Sequence, residues 1–321
     1  MNKPDRSATH TAAHANTDAA VESASLPHQR RKARRQHYLT GFAFLLPAAL
    51  LFAFFELFSL AYNFYISFHE WRGFGDPRFV GLRNYADLLT DQAFLAALLN
   101  NVTFIAVALG VMTVMSLFFA IVLDSGIPGA AFFRALLFLP VVIPMVVVSL
   151  VWARVYAARG GLLNQFLEIL GLGHLSHDWL GDPNTALGAL LVVWVWRHMG
   201  YGAVLFGAGL MGIPEEIKDA ATLDGAGPWQ TVWHVVLPLL RPIIFVVGIL
   251  YTIFALKVFT LVFLMTGGGP FHATEVMNTY LYTRVFRYFE LGIGSAVTMI
   301  AIAFVALFSI LRRRFQSAAE F

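Results

Sequence analysis

The sequence contains no cysteine. That excludes disulfides, thiolate metal sites and cysteine nucleophiles, and says nothing about compartment. Lysine is nearly absent as well: Lys3, Lys32, Lys218 and Lys257 are the full set. None of them follows a glycine, so the phosphate-binding pattern G-x-x-x-x-G-K-[ST] is missing and the chain has no such loop for ATP. The H-E-x-x-H and Gly-x-Ser-x-Gly patterns are also missing. His174 and His177 lie three apart in a polar stretch with only Asp178 and Asp182 nearby, and read as solvated loop histidines. No catalytic residue, no metal and no cofactor is expected. Charge is scarce overall, at 13% of 321 residues, where a soluble domain carries about 25%.

Apolar residues fill the space that charge leaves. They make up 58% of the chain, and mean hydropathy is +0.69. Too little polar surface remains to cover a water-soluble body, so the bilayer is the natural solvent. The net charge of +3 comes from clusters at the two ends. Basic clusters beside apolar runs read as membrane-orienting charge, not as a nucleic-acid footprint. Residues 1–36 are polar, lack an apolar period and end in the run Arg30, Arg31, Lys32, Arg34, Arg35. They read as a disordered basic tail. A cleaved signal peptide is the rival reading, and the apolar run that follows is too long for its core of roughly 7–15 residues.

A helix crosses the hydrocarbon core with about 20 apolar residues. Six stretches qualify: 41–68, 101–123, 133–153, 186–210, 242–265 and 292–311. Strand-like alternation is not apparent, so the expected class is an all-α membrane protein with a six-helix transmembrane domain over 37–314 and a short tail over 315–321. An even count puts both termini on one side. With that side inside, the inner flanks carry Arg30, Arg31, Lys32, Arg34, Arg35, Arg134, Lys218, Arg241, Arg312, Arg313 and Arg314, against Arg72, Arg78, Arg83, Arg154, Arg159, Arg284 and Arg287 outside. The positive-inside rule then makes both termini cytoplasmic. Outer loops fall at about 69–100, 154–185 and 266–291. In the second, Leu163, Phe166, Leu167 and Leu170 recur at helical spacing and predict a short amphipathic helix on the outer surface.

The long inner loop, 211–241, is the most informative segment. Pro214 suits the first position of a helix, and Glu215 and Glu216 favour its positive end. Ile217, Ala220, Ala221 and Leu223 form an apolar strip. Gly225 and Gly227 permit a sharp turn. Pro228 opens a second helix with Trp229, Trp233 and Val236 on one face, and Leu237-Pro238 is expected to end it before the fifth span. A projecting hairpin of this kind either docks on a partner or folds back on its own bundle.

The run from Asp219 to Pro238 resembles the EAA motif of the permease subunits of binding-protein-dependent ABC importers. The matching positions are Ala220, Ala221, Asp224, Gly225, Ala226, Leu237 and Pro238. Asp219 stands where that family usually has Glu, and Val235 where Ile is common. The likeness extends over most of the chain from about residue 38. Phe79-Val80-Gly81-Leu82-Arg83-Asn84-Tyr85 is similar to the first outer loop of the carbohydrate-uptake branch, the maltose and glycerol-3-phosphate permeases. Phe138-Leu139-Pro140 with Trp152 is similar to its third span. Thr266-Gly267-Gly268-Gly269-Pro270, with Thr274-Glu275 and Thr279-Tyr280, is similar to its last outer loop.

The resemblance implies a type I ABC importer permease in a bacterial cytoplasmic (inner) membrane. It implies a coupling helix, with Glu216 and the motif residues from Asp219 onward, seated in an ATP-hydrolysing subunit dimer. The implied partners are a second homologous permease, that ATPase dimer and an extracytoplasmic solute-binding protein, and the implied cargo is a sugar or a solute such as glycerol-3-phosphate. A stand-alone membrane enzyme or sensor is the rival class. It would need an intramembrane catalytic set, and only dispersed single residues are seen. A secondary transporter would show internal repeats, and none is convincing.

Ionisable residues inside spans are costly and face a cavity or a partner helix. Arg197 and His198 interrupt the fourth span after Trp194 and Trp196, Lys257 lies in the outer half of the fifth, and Glu56 is near the centre of the first. Tyr251 and Thr252 lie one to two turns before Lys257. Arg197, Tyr251, Thr252, Lys257 and Glu56 are therefore the candidates for a polar, aromatic-lined solute path, with interhelical bonding and snorkelling as the alternative. In the family a Phe-Asp pair often precedes the glycine-rich loop. Here that place reads Phe259-Thr260. Pro47, Pro140 and Pro144 are expected to break backbone bonding locally.

Overall fold

The structure is a computed structural model, and it describes residues 42–317, with side chains through residue 306. The predicted tail over 1–36 lies outside the described residues, as do residues 318–321. The chain divides into two units, one ending at Tyr62 and one beginning at Asn63.

The first unit holds most of α1 (Phe42–Ile66). Its middle widens into a π-helical stretch, Ala53–Phe58. The aromatic rings of Phe54, Phe58 and Tyr62 stack along one side at the i, i+4 spacing.

The second unit begins with an antiparallel ribbon, β1 (His69–Glu70) against β2 (Arg78–Phe79), in which His69 faces Phe79. Helices follow: α2 (Arg83–Thr90), α3 (Gln92–Asp124), α4 (Ala130–Val142), α5 (Met145–Val155), α6 (Leu162–Ile169), α7 (Ala186–Met211), α8 (Glu215–Leu223), α9 (Leu237–Leu256), α10 (Thr260–Met265), α11 (Met277–Tyr282) and α12 (Leu291–Ser317). The predicted amphipathic helix is α6, one residue off its expected start. Among the described residues, four helical stretches are long and apolar enough to cross a membrane, namely α1, α3, α7 and Pro228–Met265, and α4 with α5 gives a fifth if that bent pair is one span. The sixth expected span falls on α12, which is apolar over Leu291–Ala306.

Local chemistry moves several predicted boundaries. The second span starts at Gln92, not near 101, because Asp91 caps the helix there: its carboxylate accepts the N–H groups of Ala93 and Phe94. The third is not one straight helix. Ile143 and Pro144 are extended, with ψ of 130° and 136°, and α4 and α5 meet at 97°. Proline drives its preceding residue out of the helical region and lacks a donor of its own. Pro140, by contrast, sits inside α4 without ending it. The fifth span is interrupted between Leu256 and Thr260, and the last helix runs to Ser317, through the first part of the expected tail.

Helix α7 is the hub, packing against α3, α4 and α9. Lipid is as apolar as leucine, so apolar contact between helices gains little transfer energy. Close packing and interhelical hydrogen bonds hold them instead. Gly200 shows the packing term: a Cβ there would lie 1.9 Å from the Leu137 carbonyl oxygen of α4. Ser116 of α3 shows the bonding term. Its hydroxyl donates to the Met199 carbonyl at 2.8 Å and sits 2.7 Å from the Tyr251 hydroxyl, tying α3, α7 and α9 together. Phe104 meets Trp194 edge-on at 5.3 Å in the same core. A second cluster joins Leu88, Phe94, Met277, Tyr280 and Val297 where α2, α3, α11 and α12 converge.

Candidate functional site

Two places gather the residues that sequence reasoning singled out. The first is the hairpin between α7 and α9. Pro214 is extended (φ −55°, ψ 136°) and stands just before α8, so the first helical residue is Glu215. This shifts the predicted start by one position and leaves both glutamates in the first turn, against the helix dipole. After Leu223 the chain reverses through Gly225, whose φ of +84° suits glycine and strains an L side chain. The Ala226 N–H reaches back to the Ala221 carbonyl at 2.9 Å and closes the helix end. Pro228 then opens a new turn, Pro228–Thr231, with the Gln230 side chain accepting from the Gly227 N–H at 2.8 Å.

The expected stop at Leu237-Pro238 does not occur. The helix widens into a π stretch, Val232–Val236, and continues straight into α9. The wider turn removes the need for a donor at Pro238, so the proline is carried without a break.

Among the described residues, a large face of the hairpin is left uncovered. Leu223 is 88% exposed, Trp229 71% and Trp233 65%. Glu216, Asp219, Ala220, Asp224 and Gly225 are exposed too, while Ala221, Ala226, Leu237 and Pro238 are partly buried. On the other side of α8, the Lys218 ammonium bonds the Asp124 carboxylate at the end of α3, at 3.1 Å.

The second place is a cleft of about 220 Å³ at the break between α9 and α10. Trp194, His198, Phe254, Lys257, Phe259 and Thr260 are among its lining residues. The His198 Nδ1 lies 2.8 Å from the Trp194 carbonyl oxygen, and its ring sits between those of Trp194 and Phe254. The break frees backbone carbonyls, and two asparagines take them up. Asn278 donates to the Leu256 and Val258 carbonyls at 2.9 and 3.2 Å. Asn101 donates to Ala255 at 3.1 Å and accepts from the Met277 N–H at 2.8 Å. Lys257 is thereby held at the exposed end of α9.

The remaining path candidates lie elsewhere. Tyr251 is fully buried and bonded to Ser116. Thr252 is buried and donates to the Gly248 carbonyl of its own helix at 2.7 Å. Neither lines the cleft. Arg197 does not line it either, although its Nε is buried with no hydrogen-bond partner among the described residues. Glu56 is exposed, within the π stretch of α1. His198 and the two asparagines were missed as path residues. His198 had a signal, its place beside Arg197 in an apolar helix. Asn101 and Asn278 had none, because the carbonyls they satisfy become free only where the helix breaks. Among the described residues no cluster of potential metal ligands occurs.

These features define a class: a helical membrane protein with broken spans, a polar and aromatic cleft at one break, and a hairpin that presents tryptophans outward. The chain matches the family described as binding-protein-dependent transport system inner membrane component over residues 93–320, and it belongs to that family. It is 35% identical over 283 residues to the probable ABC transporter permease protein YurN of Bacillus subtilis, covering 87% of this chain and 97% of the relative. It is 34% identical over 274 residues to the trehalose/maltose transport system permease protein MalF of Thermococcus litoralis, covering 84% and 91%. It also shares its fold with a crystal structure of a bacterial ABC transporter that imports alginate. That match has a TM-score of 0.75 and 21% identity, covering 88% of this chain and 98% of the other. The protein is a permease component of an ABC importer, as the hairpin motif implied.

Proposed function

We propose that this chain forms part of a sugar translocation path and converts the motion of an ATPase dimer into movement of its spans. The observation that carries the reading is the exposed hairpin face. Leu223, Trp229 and Trp233 have no cover among the described residues, and Ala220 beside them lets another backbone approach closely. In this reading the hairpin is cytoplasmic, Glu216, Asp219, Asp224, Gly225 and Ala226 border the docked face, and both termini lie on the same side. A second permease completes the path, and a solute-binding protein delivers cargo from the opposite side.

Sugar is the solute class that the relatives support. Their names include trehalose/maltose, xylose/arabinose and diacetylchitobiose uptake. The cleft supports it independently: flat rings suit a sugar's C–H face, and His198, Thr260 and Lys257 offer hydrogen bonds to its hydroxyls. Arg197 carries charge inside a span and would meet a group of the second permease or the solute.

The test uses the absence of native cysteine. A single Ala220→Cys is expected to cross-link to the ATPase subunit in the assembled complex. Leu223→Asp is expected to lower the ATPase that co-purifies by roughly tenfold or more, the scale of burying an unpaired charge at an interface, while membrane insertion stays normal. Cross-linking to an extracytoplasmic protein, or full ATPase retention with normal uptake in Leu223→Asp, would overturn the reading.

A further inference from the structure

The hairpin is joined to the body of the chain at both ends, through α7 and through α9. A third tie is separate from these covalent routes. Lys218 projects from the side of α8 and bonds Asp124, the last residue of α3, 94 positions away in sequence. Among the described residues this is the only side-chain hydrogen bond or ion pair between α8 and another element of the chain. The two side chains are only 30% and 27% exposed, so water screens the pair less than it would at an open surface. Lys218 and Ala221, a turn apart, are the less exposed positions of α8, while Asp219, Ala220 and Leu223 look outward. The helix therefore has an uncovered face and a tethered face.

Position makes the tie consequential. Helix α3 is 33 residues long and continuous through a π stretch, Ala108–Met112. It packs on α7 through Ser116 and on the cleft region through Asn101. The same helix thus joins the Asp124 end to Asn101, which bonds the Ala255 carbonyl beside the α9–α10 break.

We propose that the Lys218–Asp124 pair is a strut that makes α8 and the end of α3 move as one body. Lys218 and Asp124 are thus positioning residues for coupling, distinct from the face that docks. This rests on the coupling reading above, and the experiment separates the two. Spin labels are placed at Ser125→Cys and Thr222→Cys, in complexes assembled with a cysteine-free ATPase and the second permease. Their separation is measured by pulsed electron resonance without nucleotide and with ATP plus vanadate.

With the strut intact the distance distribution is expected to keep its mean and width in both states. Lys218→Ala or Asp124→Ala is expected to broaden it or shift its mean on nucleotide trapping. Uptake per ATP hydrolysed should then fall roughly two- to fivefold, the range of a partly exposed ion pair. The reciprocal variant Lys218→Asp with Asp124→Lys should restore both, which a general loss of folding would not allow. Unchanged distances in the single variants, or a reciprocal variant that fails to restore them while the ATPase remains bound, would overturn the strut. Failure of the ATPase to co-purify with the unlabelled, unsubstituted chain would instead overturn the coupling reading, and the strut with it.

Discussion

Asp91 sits where three elements meet. One carboxylate oxygen caps α3 by accepting from Ala93 at 2.8 Å and Phe94 at 3.3 Å. The other accepts the Tyr280 hydroxyl at 2.8 Å and a guanidinium N–H of Arg284. Arg284 in turn bonds Glu290 at 3.0 Å, just before α12, and lies over the Tyr280 ring. Burial pushes the Asp91 carboxyl up, but the Tyr280 hydroxyl, the two backbone amides and Arg284 together outweigh it. The result is a carboxyl held below its ordinary value of 3.8. A carboxyl depressed in the folded state contributes its stability in full above the unfolded value and loses it as pH falls through the folded one. Asp91→Ala is therefore expected to destabilise the protein by about 1–3 kcal/mol at pH 7, the scale of hydrogen bonds to a charged group. The gap from the unsubstituted protein should close as pH falls below about 4. Thermal unfolding of the complex in lipid nanodiscs across pH measures this. A gap that stays constant down to pH 3 would show that the cap geometry acts without its charge.

At the scale of elements, the legible parts were those whose signals lie close together in sequence. The α8 hairpin was readable because Pro214, Gly225 and Pro228 mark its start, turn and restart within fifteen residues. Helix α6 was readable from four apolar residues at helical spacing. Pro144 marked a break in the third span, but nothing local gave the 97° turn, because the angle depends on what α4 and α5 pack against: α7 for one, α10 for the other. The interruption between α9 and α10 was invisible, since the apolar run continues through Val258 and Phe259 without a glycine or proline. Asn278 and Asn101 reach in from α11 and α3 and bond the carbonyls around it. Asn278→Leu is expected to leave the Leu256 and Val258 carbonyls unpaired, at a cost of about 1–3 kcal/mol each where water cannot reach them. Helix α9 should extend past Lys257 in response. Hydrogen exchange at residues 257–260 reads the outcome: faster exchange means strained carbonyls, slower exchange means a repaired helix, and exchange equal to that of the unsubstituted protein would show that the asparagine does not hold the break.

At the scale of the whole molecule, each surface must meet one side of the membrane. Charge density argues for one answer. The run Arg30 to Arg35 holds five basic residues and no acid, and Arg312, Arg313 and Arg314 are consecutive. Both clusters flank apolar segments, where positive charge sets orientation. The arginines of the opposite segments are spread out, and several are engaged within the fold: Arg78 with Glu70, Arg83 with Asp87, and Arg284 with Asp91 and Glu290. They are held by local structure and need no cytoplasmic placement to explain them. The hairpin side should therefore be cytoplasmic, with the β1–β2 ribbon and α6 outside. Because the chain has no cysteine, single substitutions report one at a time. Ser125→Cys and Glu216→Cys are expected to react with a membrane-impermeant maleimide only in inside-out vesicles, and Gly75→Cys and Leu172→Cys only in right-side-out ones. The reverse pattern would place the tryptophan face away from any cytoplasmic ATPase, and with it would fall the reason that Leu223, Trp229 and Trp233 are left uncovered.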